Sequence, residues 1–287
     1  MMGGRPDLLD PQRVLFLARQ ENFPVASRVL PPSVRAHLMA IYGFARLVDD
    51  AGDEARGDRV ELLDRIESEL ELAFAGSATH PLMRKLQGTI REFRLHREPF
   101  LRLIEANRRD QTVSRYGTFG DLLGYCELSA NPVGHLVLAV LQATSPERLA
   151  WSDAVCTGLQ LTEHWQDVAE DALQGRIYLP QEDLRRFGCT VEELRTGSRR
   201  PEFRRLMAFE VARARDLLDR GLPLARDLGG RAGVAIASFV AGGRAALVAI
   251  ERSGFSVLTG APRPSRSMQA RVLAQTLLDA RFGRRAA

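Results

Sequence analysis

Two clusters of acidic side chains recur at one-turn spacing within otherwise apolar segments. One cluster contains Asp49 and Asp53, and the other contains Glu163, Asp167 and Asp171. Residues four apart lie on the same face of an α-helix, where like charges repel unless a cation sits between them. Mg²⁺ prefers oxygen ligands and is typically held by one or two carboxylates together with substrate phosphates. The spacing therefore predicts Mg²⁺ binding around a diphosphate.

A solvated surface is the alternative interpretation of either cluster alone, because acidic residues four apart usually face water. The neighbouring residues favour a site. Tyr42 and Arg46 precede Asp49 on the same face, and arginine suits bidentate phosphate binding. The second cluster has no lysine or arginine before Arg176. Asp50, beside the first pair, is predicted to be a further ligand or a supporting residue.

The elements that must position these clusters are all predicted to be helices, because no segment alternates with period two. We expect an all-α chain of roughly ten helices in one domain over residues 1–287, with 1–9 and 283–287 as flexible ends. Capping residues and apolar periodicity place the helices over about 11–20, 32–53, 58–75, 81–94, 98–114, 119–143 (which Asn131-Pro132 can interrupt), 146–174, after Pro180, after Thr190, 201–226, 229–253 and 266–282.

The composition is that of an ordinary globular protein. Lys and Arg number 40 against 36 Asp and Glu, a net charge of +4, with 45% hydrophobic residues. This charge is too weak to predict nucleic-acid binding. Three cysteines without a CxxC pattern predict neither a disulfide framework nor a zinc site. The absence of an apolar signal segment predicts a cytoplasmic protein.

The most apolar stretch, Ala232–Ala241, is about half of the ~20 residues that span a membrane. It is expected to be a buried helix, with a membrane-facing helix as the alternative.

The acidic motifs resemble those of the squalene, phytoene and dehydrosqualene synthases. Residues 49–53 match the DxxxD motif of that family, 163–171 resemble NxxxDxxxD, 175–180 read Gly-Arg-Ile-Tyr-Leu-Pro, and 125–134 are similar to the family's central helix. The resemblance covers roughly residues 15–260, and two motifs in order about 114 residues apart are specific. It implies an isoprenoid-synthase-type helical bundle around a central cavity.

Within that family, residues 21–27 and 164–167 resemble the bacterial hydroxysqualene synthase of hopanoid biosynthesis. The resemblance implies Mg²⁺-dependent conversion of presqualene diphosphate and water to hydroxysqualene and diphosphate. Condensing relatives usually carry a Ser/Lys-rich segment where this chain has 19–23, and Arg where it has Gln166. Glu163 departs from the family's usual Asn. A head-to-head condensing synthase is one alternative, and a non-catalytic lipid-binding member is another.

The resemblance also implies roles for individual residues. Two or three Mg²⁺ ions, with no nicotinamide or flavin, would be bound by the catalytic carboxylates Asp49, Asp53, Asp167 and Asp171 and by Glu163. Substrate-binding residues would be Asn22, Tyr42, Arg46, Ala130, Gly134, Gln160, Gln166 and Tyr178. The functional partners would be a presqualene diphosphate synthase and a flavin-dependent reductase, and contact with the membrane would be peripheral.

Overall fold

The structure, a computed structural model, describes residues 29–53, 55, 57–197 and 200–283. Every regular element within these ranges is a helix, and one isolated bridge joins Arg115 to Ile177. The prediction of an all-α chain is confirmed. The predicted helix at 11–20, the segment 21–27 with Asn22, and most of the two predicted flexible ends lie outside the described residues.

The chain forms two compact units. The first unit comprises Met1–Val113 and Pro132–Thr144. Its helix α1 packs against α2, α3 and α4. The helices of this unit are α1 (Pro32–Asp53), α2 (Arg59–Ala75), α3 (Pro81–Phe93), α4 (Glu98–Asp110) and, after its first residue, α6 (Asn131–Val140).

The second unit comprises Ser114–Asn131 and Ser145–Ala287. Its helix α7 packs against α11 along most of its length and also contacts α5 and α13. The helices of this unit are α5 (Phe119–Ser129), α7 (Pro146–Gln166), α8 (Val168–Leu173), α9 (Gln181–Arg186), α10 (Val191–Thr196), α11 (Pro201–Gly221), α12 (Pro223–Leu228), α13 (Gly230–Arg252) and α14 (Arg266–Phe282).

Local capping chemistry fixes several of these boundaries. The Asp58 side chain accepts a hydrogen bond from the Glu61 amide at 3.1 Å, so α2 begins where the sequence predicts. Gly76 ends that helix with φ at 85°, a left-handed conformation that glycine adopts without a Cβ penalty. Thr118 and Thr190 each form the predicted capping box. These ends follow from residues within one turn of each other.

Three predicted helices are shorter or divided in the structure. The helix expected over 98–114 ends at Asp110. The helix expected over 201–226 is interrupted at Leu222, because Pro223 has no amide hydrogen and begins a new helix instead. The helix expected over 146–174 is divided at Asp167, where φ is −101° and ψ is 14°. The predicted interruption near Asn131-Pro132 is present, since α5 ends at Ser129.

The close packing of α7 on α11 requires small residues. A Cβ at Gly221 would lie 2.7 Å from the Trp151 carbonyl oxygen, and one at Gly158 would lie 2.9 Å from a Leu218 side-chain carbon. Trp165 is fully buried in this interface, and its indole NH donates to the Glu210 carbonyl oxygen at 3.1 Å. The unit therefore holds α7, whose last turn carries Glu163 of the second acidic cluster, rigidly from one side.

Helix α13 is long and apolar enough to cross a membrane by length and composition alone. Two-thirds of its most apolar window, 67%, is buried inside the protein. It packs against α14, α12, α7 and α11. The predicted buried helix at Ala232–Ala241 is confirmed as part of this core element.

A buried charge cluster joins Glu210 and Arg213 of α11 to Asp183 of α9. Glu210 is fully buried, and Asp183 is nearly so. Both carboxyls share one guanidinium, since Arg213 lies 2.5 Å from Asp183 and 3.4 Å from Glu210. Burial, with the nearby negative charge of Asp183, raises the pKa of Glu210 from 4.5 to about 8, although Arg213 opposes the shift.

We expect Glu210→Gln to flatten the dependence of stability on pH. A raised pKa means that the folded protein retains a proton that the unfolded chain loses. This contribution is complete below pH ~4.5 and is lost as the pH rises through about 8. The free energy of unfolding, measured in urea from pH 5 to 9, should fall with pH in the wild type by on the order of 2–4 kcal/mol more than in the variant.

Asp216→Asn provides the matched control for that measurement. Asp216 lies on the same helix, and its side chain is largely exposed. Its variant should follow the wild-type profile. A Glu210→Gln profile parallel to that of the wild type would show that Glu210 is ionised in the folded protein.

Candidate functional site

The first acidic motif occupies the last turn of α1. Asp49 is accessible to solvent, although protein atoms surround its carboxyl group closely. Its Oδ1 accepts a hydrogen bond from Asn107 Nδ2 at 3.2 Å. Limited hydration raises the pKa of Asp49 from 3.8 to about 7, and the charges of Asp53 and Asp50 add to the rise, while Asn107 and Arg46 oppose it. The motif thus brings three carboxyl groups together at a position where the ionised form of Asp49 is disfavoured.

Asp50 supports the motif from inside the protein. Its side chain is buried, and its Oδ1 lies 2.7 Å from Nε of Arg46, one turn earlier. Asp50 therefore holds the guanidinium of Arg46 in place, which agrees with a supporting residue. Tyr42 lies one turn before Arg46 and is half-buried.

Asn107 of α4 and Gln111, the residue that follows this helix, fix the end of α1. Asn107, besides donating to Asp49, approaches so closely that a Cβ at Gly52 would lie 2.2 Å from its Oδ1. Gln111 donates to the Gly52 carbonyl oxygen at 3.1 Å and to the Asn107 carbonyl oxygen at 2.9 Å. The glycine within the motif is thus required by the approach of Asn107. The sequence analysis did not identify Asn107 and Gln111 as site residues. The only sequence feature that points to them is a pair of side-chain amides four residues apart in a predicted amphipathic helix.

The second acidic motif spans the junction of α7 and α8. The Asp167 amide donates to the Glu163 carbonyl oxygen at 3.0 Å, and the Asp171 amide donates to the Asp167 carbonyl oxygen at 2.9 Å. The i to i−4 bonds therefore continue through the break at Asp167, and the three residues remain one turn apart. All three are half-buried, whereas Glu170 is exposed. The predicted row of carboxylates is preserved, although its helix is divided.

Arg263 brings a positive charge to the second motif. Burial and the charge of Glu170 raise the pKa of Asp167, and the charge of Arg263 opposes that rise. Arg263 is positioned by its neighbour, because Gln166 Nε2 donates to the Pro262 carbonyl oxygen at 2.7 Å. Gln166 is itself buried. Its predicted contact with substrate stays a prediction, but one amide hydrogen is already committed to the backbone beside Arg263.

The position of Arg263 beside Asp167 is not visible in the sequence alone. It lies in the segment between α13 and α14, about 96 residues after the glutamine whose amide holds that segment. From the sequence, the arginine-rich end at 263–285 is either a solvated face or a surface that contacts phosphate or anionic headgroups. The tertiary structure instead places a guanidinium within electrostatic range of a predicted metal ligand.

A stacked aromatic group adjoins the same motif. The rings of His164 and Tyr178 are 3.6 Å apart and nearly parallel, and Tyr116 stacks on Tyr178 at 5.8 Å. Tyr125 lies 5.8 Å from Tyr178. Burial, with the charge of Arg176, lowers the pKa of His164 from 6.5 to about 3, so the imidazole is neutral. The structure brings the predicted residue Tyr178 into an electron-rich group that the sequence did not reveal.

Backbone pairing explains how these rings meet. The Ile177 amide donates to the Ser114 carbonyl oxygen at 2.8 Å, and the Gln181 amide donates to the Tyr116 carbonyl oxygen at 2.9 Å. The Gly-Arg-Ile-Tyr-Leu-Pro segment therefore runs beside residues 114–117. Gln160 Nε2 lies 3.2 Å from His164 Nε2, which links another predicted substrate-binding residue to the rings.

A small cavity adjoins the rings and the second motif. Its lining includes His164, Asp171, Arg176 and Tyr178, and its volume is about 10 Å³. This volume is close to the minimum for one water molecule and excludes an isoprenoid chain.

The remaining predicted residues occupy the junction of α5 and α6. Ala130 ends α5 and is buried. Gly134 is buried in α6. The side-chain oxygen of Asn131 accepts a hydrogen bond from Thr157 at 3.0 Å, which fixes the junction to α7.

The donor sets suit a hard cation that also has phosphate ligands. Among the described residues, no three His, Cys, Asp or Glu side chains form a group that could hold a metal alone. Mg²⁺ does not need one, since one or two carboxylates plus phosphates and water suffice. Asp49, whose pKa is raised partly by Asp53, is the kind of carboxylate that a bound cation would stabilise in its ionised form.

Comparison with known proteins decides the family. The squalene/phytoene synthase family profile matches residues 17–269. The chain belongs to the squalene/phytoene synthase family. The members of this family are enzymes that form isoprenoids. Membership therefore places this protein in isoprenoid biosynthesis.

Relatives in the family carry two different activities. The synthase is 35% identical to a hydroxysqualene synthase of Rhodopseudomonas palustris over 214 residues, 73% of this chain and 72% of that protein. It is 34% identical to a phytoene synthase of Arthrospira platensis over 226 residues, 74% and 73% of the two chains. The two identities are nearly equal, so they do not indicate which of the two reactions this protein catalyses.

Solved structures confirm the fold. The squalene synthase HpnC from Alicyclobacillus acidocaldarius is 45% identical, with a TM-score of 0.80 over 86% of this chain and 94% of that one. A dehydrosqualene synthase, 23% identical with a TM-score of 0.84, shares the fold over 93% and 95% of the two chains. The predicted isoprenoid-synthase-type helical fold is confirmed.

Proposed function

We propose that this synthase converts presqualene diphosphate and water to hydroxysqualene and diphosphate. One observation carries the choice over a condensing reaction. Gln166, where condensing relatives usually have arginine, is buried and donates to the Pro262 carbonyl oxygen. Position 166 therefore provides no cation for a second diphosphate, and Arg263 is the charge that reaches Asp167. A single diphosphate needs fewer positive side chains than two diphosphates do, so a substrate with one diphosphate fits this site better.

Mg²⁺ would be held by Asp49 and Asp53 and by Glu163, Asp167 and Asp171, and it would neutralise charge on the departing diphosphate. That both motifs serve one diphosphate stays a prediction from the sequence. Arg46, held by Asp50, and Arg263, held beside Gln166, would donate to phosphate oxygens.

In the proposed reaction the ester C–O bond breaks and its electron pair leaves with the diphosphate. The cyclopropylcarbinyl cation rearranges, and a water oxygen then forms the new C–O bond and loses a proton to solvent. This reaction consumes no reductant, so it would need neither nicotinamide nor flavin.

Product analysis tests the proposal. Purified protein with Mg²⁺ is offered presqualene diphosphate in one tube and farnesyl diphosphate in another, with no reductant. We expect hydroxysqualene and diphosphate from the first tube and no condensation in the second. Condensation of farnesyl diphosphate without formation of the alcohol would establish the condensing alternative, and inactivity towards every isoprenoid diphosphate would favour a lipid-binding role.

A further inference from the structure

We propose that the outer face of α14 docks on an anionic phospholipid membrane. The outer face is defined as Arg271, Ala274, Leu278, Arg281 and Phe282, which recur at three- and four-residue spacing on one side of the helix. Leu278 and Phe282 are 52% and 70% exposed, one turn apart. The family resemblance implies peripheral membrane contact but names no surface for it. The surface is the new element, and it does not depend on the proposed function.

The opposite face of α14 is bound to the protein. Arg244 lies 2.9 Å from Asp279 and donates to Thr276 at 3.2 Å. Arg226 Nε donates to the Ala280 carbonyl oxygen at 2.8 Å, at the last turn of the helix. These contacts hold α14 in one orientation, so the exposure of Leu278 and Phe282 is a fixed feature of the surface.

The charge of the outer face is entirely positive. The one acidic residue of α14, Asp279, is half-buried outside this face and forms an ion pair with Arg244. Within the described part of the chain, neither Arg271 nor Arg281 belongs to an ion pair. Arg281 also lies over the Phe282 ring at 5.3 Å. Cationic residues around exposed Leu and Phe are the pattern of helices that lie in the interface of anionic membranes.

The size of the face favours a membrane over a protein partner. Two large apolar side chains and one alanine form a much smaller apolar area than the ~800 Å² per partner of a stable protein interface. A bilayer needs no matching shape, and two inserted side chains with two arginines are enough for reversible binding. The strongly apolar helix α13 is buried behind α14, so it is not the contact.

Vesicle flotation tests the proposal with the full chain. Wild-type protein should float with phosphatidylcholine vesicles that contain phosphatidylglycerol, and should float less as salt is raised or when phosphatidylglycerol is omitted. Leu278→Ser/Phe282→Ser should lower the partition coefficient about tenfold or more. Arg271→Gln/Arg281→Gln should lower it about 25-fold, at about fivefold per arginine.

Matched control variants can be made in the first compact unit, which does not contain α14. Val60→Ser/Leu72→Ser removes two exposed apolar side chains from α2, and Arg65→Gln/Arg91→Gln removes two exposed charges. Both control variants should float like the wild type, and circular dichroism should show every variant folded. Absence of wild-type flotation, or equal flotation of the α14 variants, would refute the proposal. A concentration-dependent dimer that Leu278→Ser/Phe282→Ser abolishes would assign the face to a second copy instead.

Discussion

Asp49→Asn and Asp167→Asn are each expected to lower the rate of diphosphate release by about 10³-fold or more. Amides cannot provide the anionic charge that binds Mg²⁺, and loss of a metal ligand forfeits several kcal/mol of charge stabilisation at the leaving group. Diphosphate release from presqualene diphosphate at saturating Mg²⁺ measures the effect.

The fold should survive both substitutions. In Asp49→Asn the side-chain oxygen that accepts from Asn107 is kept, while a carboxylate that Asp50 and Asp53 repel is removed. The melting temperature should therefore stay the same or rise. Glu170→Gln is the matched control, because Glu170 is exposed and lies outside the row of carboxylates. Turnover within a few-fold of wild type in either aspartate variant would exclude that motif from the reaction.

Arg263→Gln is expected to lower kcat/KM for presqualene diphosphate about 100-fold. Charge-assisted hydrogen bonds to phosphate are about twice as strong as neutral ones, and loss of a bidentate pair from the exposed Arg263 to a bound diphosphate costs on the order of 3 kcal/mol. Arg263→Lys should recover part of the loss, because it restores the charge without the bidentate geometry. Steady-state kinetics on the three proteins measures the series.

Binding of inorganic diphosphate separates the role of Arg263 from a role in folding. Calorimetry with Mg²⁺ and diphosphate should show weaker binding in Arg263→Gln at an unchanged melting temperature. Arg266→Gln, three residues later on the exposed start of α14, should bind diphosphate like the wild type. Unchanged affinity in Arg263→Gln would place the guanidinium outside the diphosphate site.

Local sequence determined most of the helices in this protein. Asp58, Thr118 and Thr190 cap helices through residues three positions away, and Gly76 ends one through its own conformation. The spacing of Asp49 to Asp53 and of Glu163 to Asp171 placed each acidic set on one face. Such features are visible in one sequence because the interacting groups lie within one or two helical turns.

The tertiary structure alone decided the environment of those carboxylates. Asn107 reaches Asp49 across 58 residues of chain, and Gln166 holds Pro262 across 96. The stacking of His164 on Tyr178 depends on the pairing of residues 114–117 with the segment after Gly175. Hydration, and with it the pKa of Asp49 and Asp167, depends on which distant helices pack around a side chain. No short-range pattern encodes that packing, because many sequences satisfy the same helical periodicity with different neighbours.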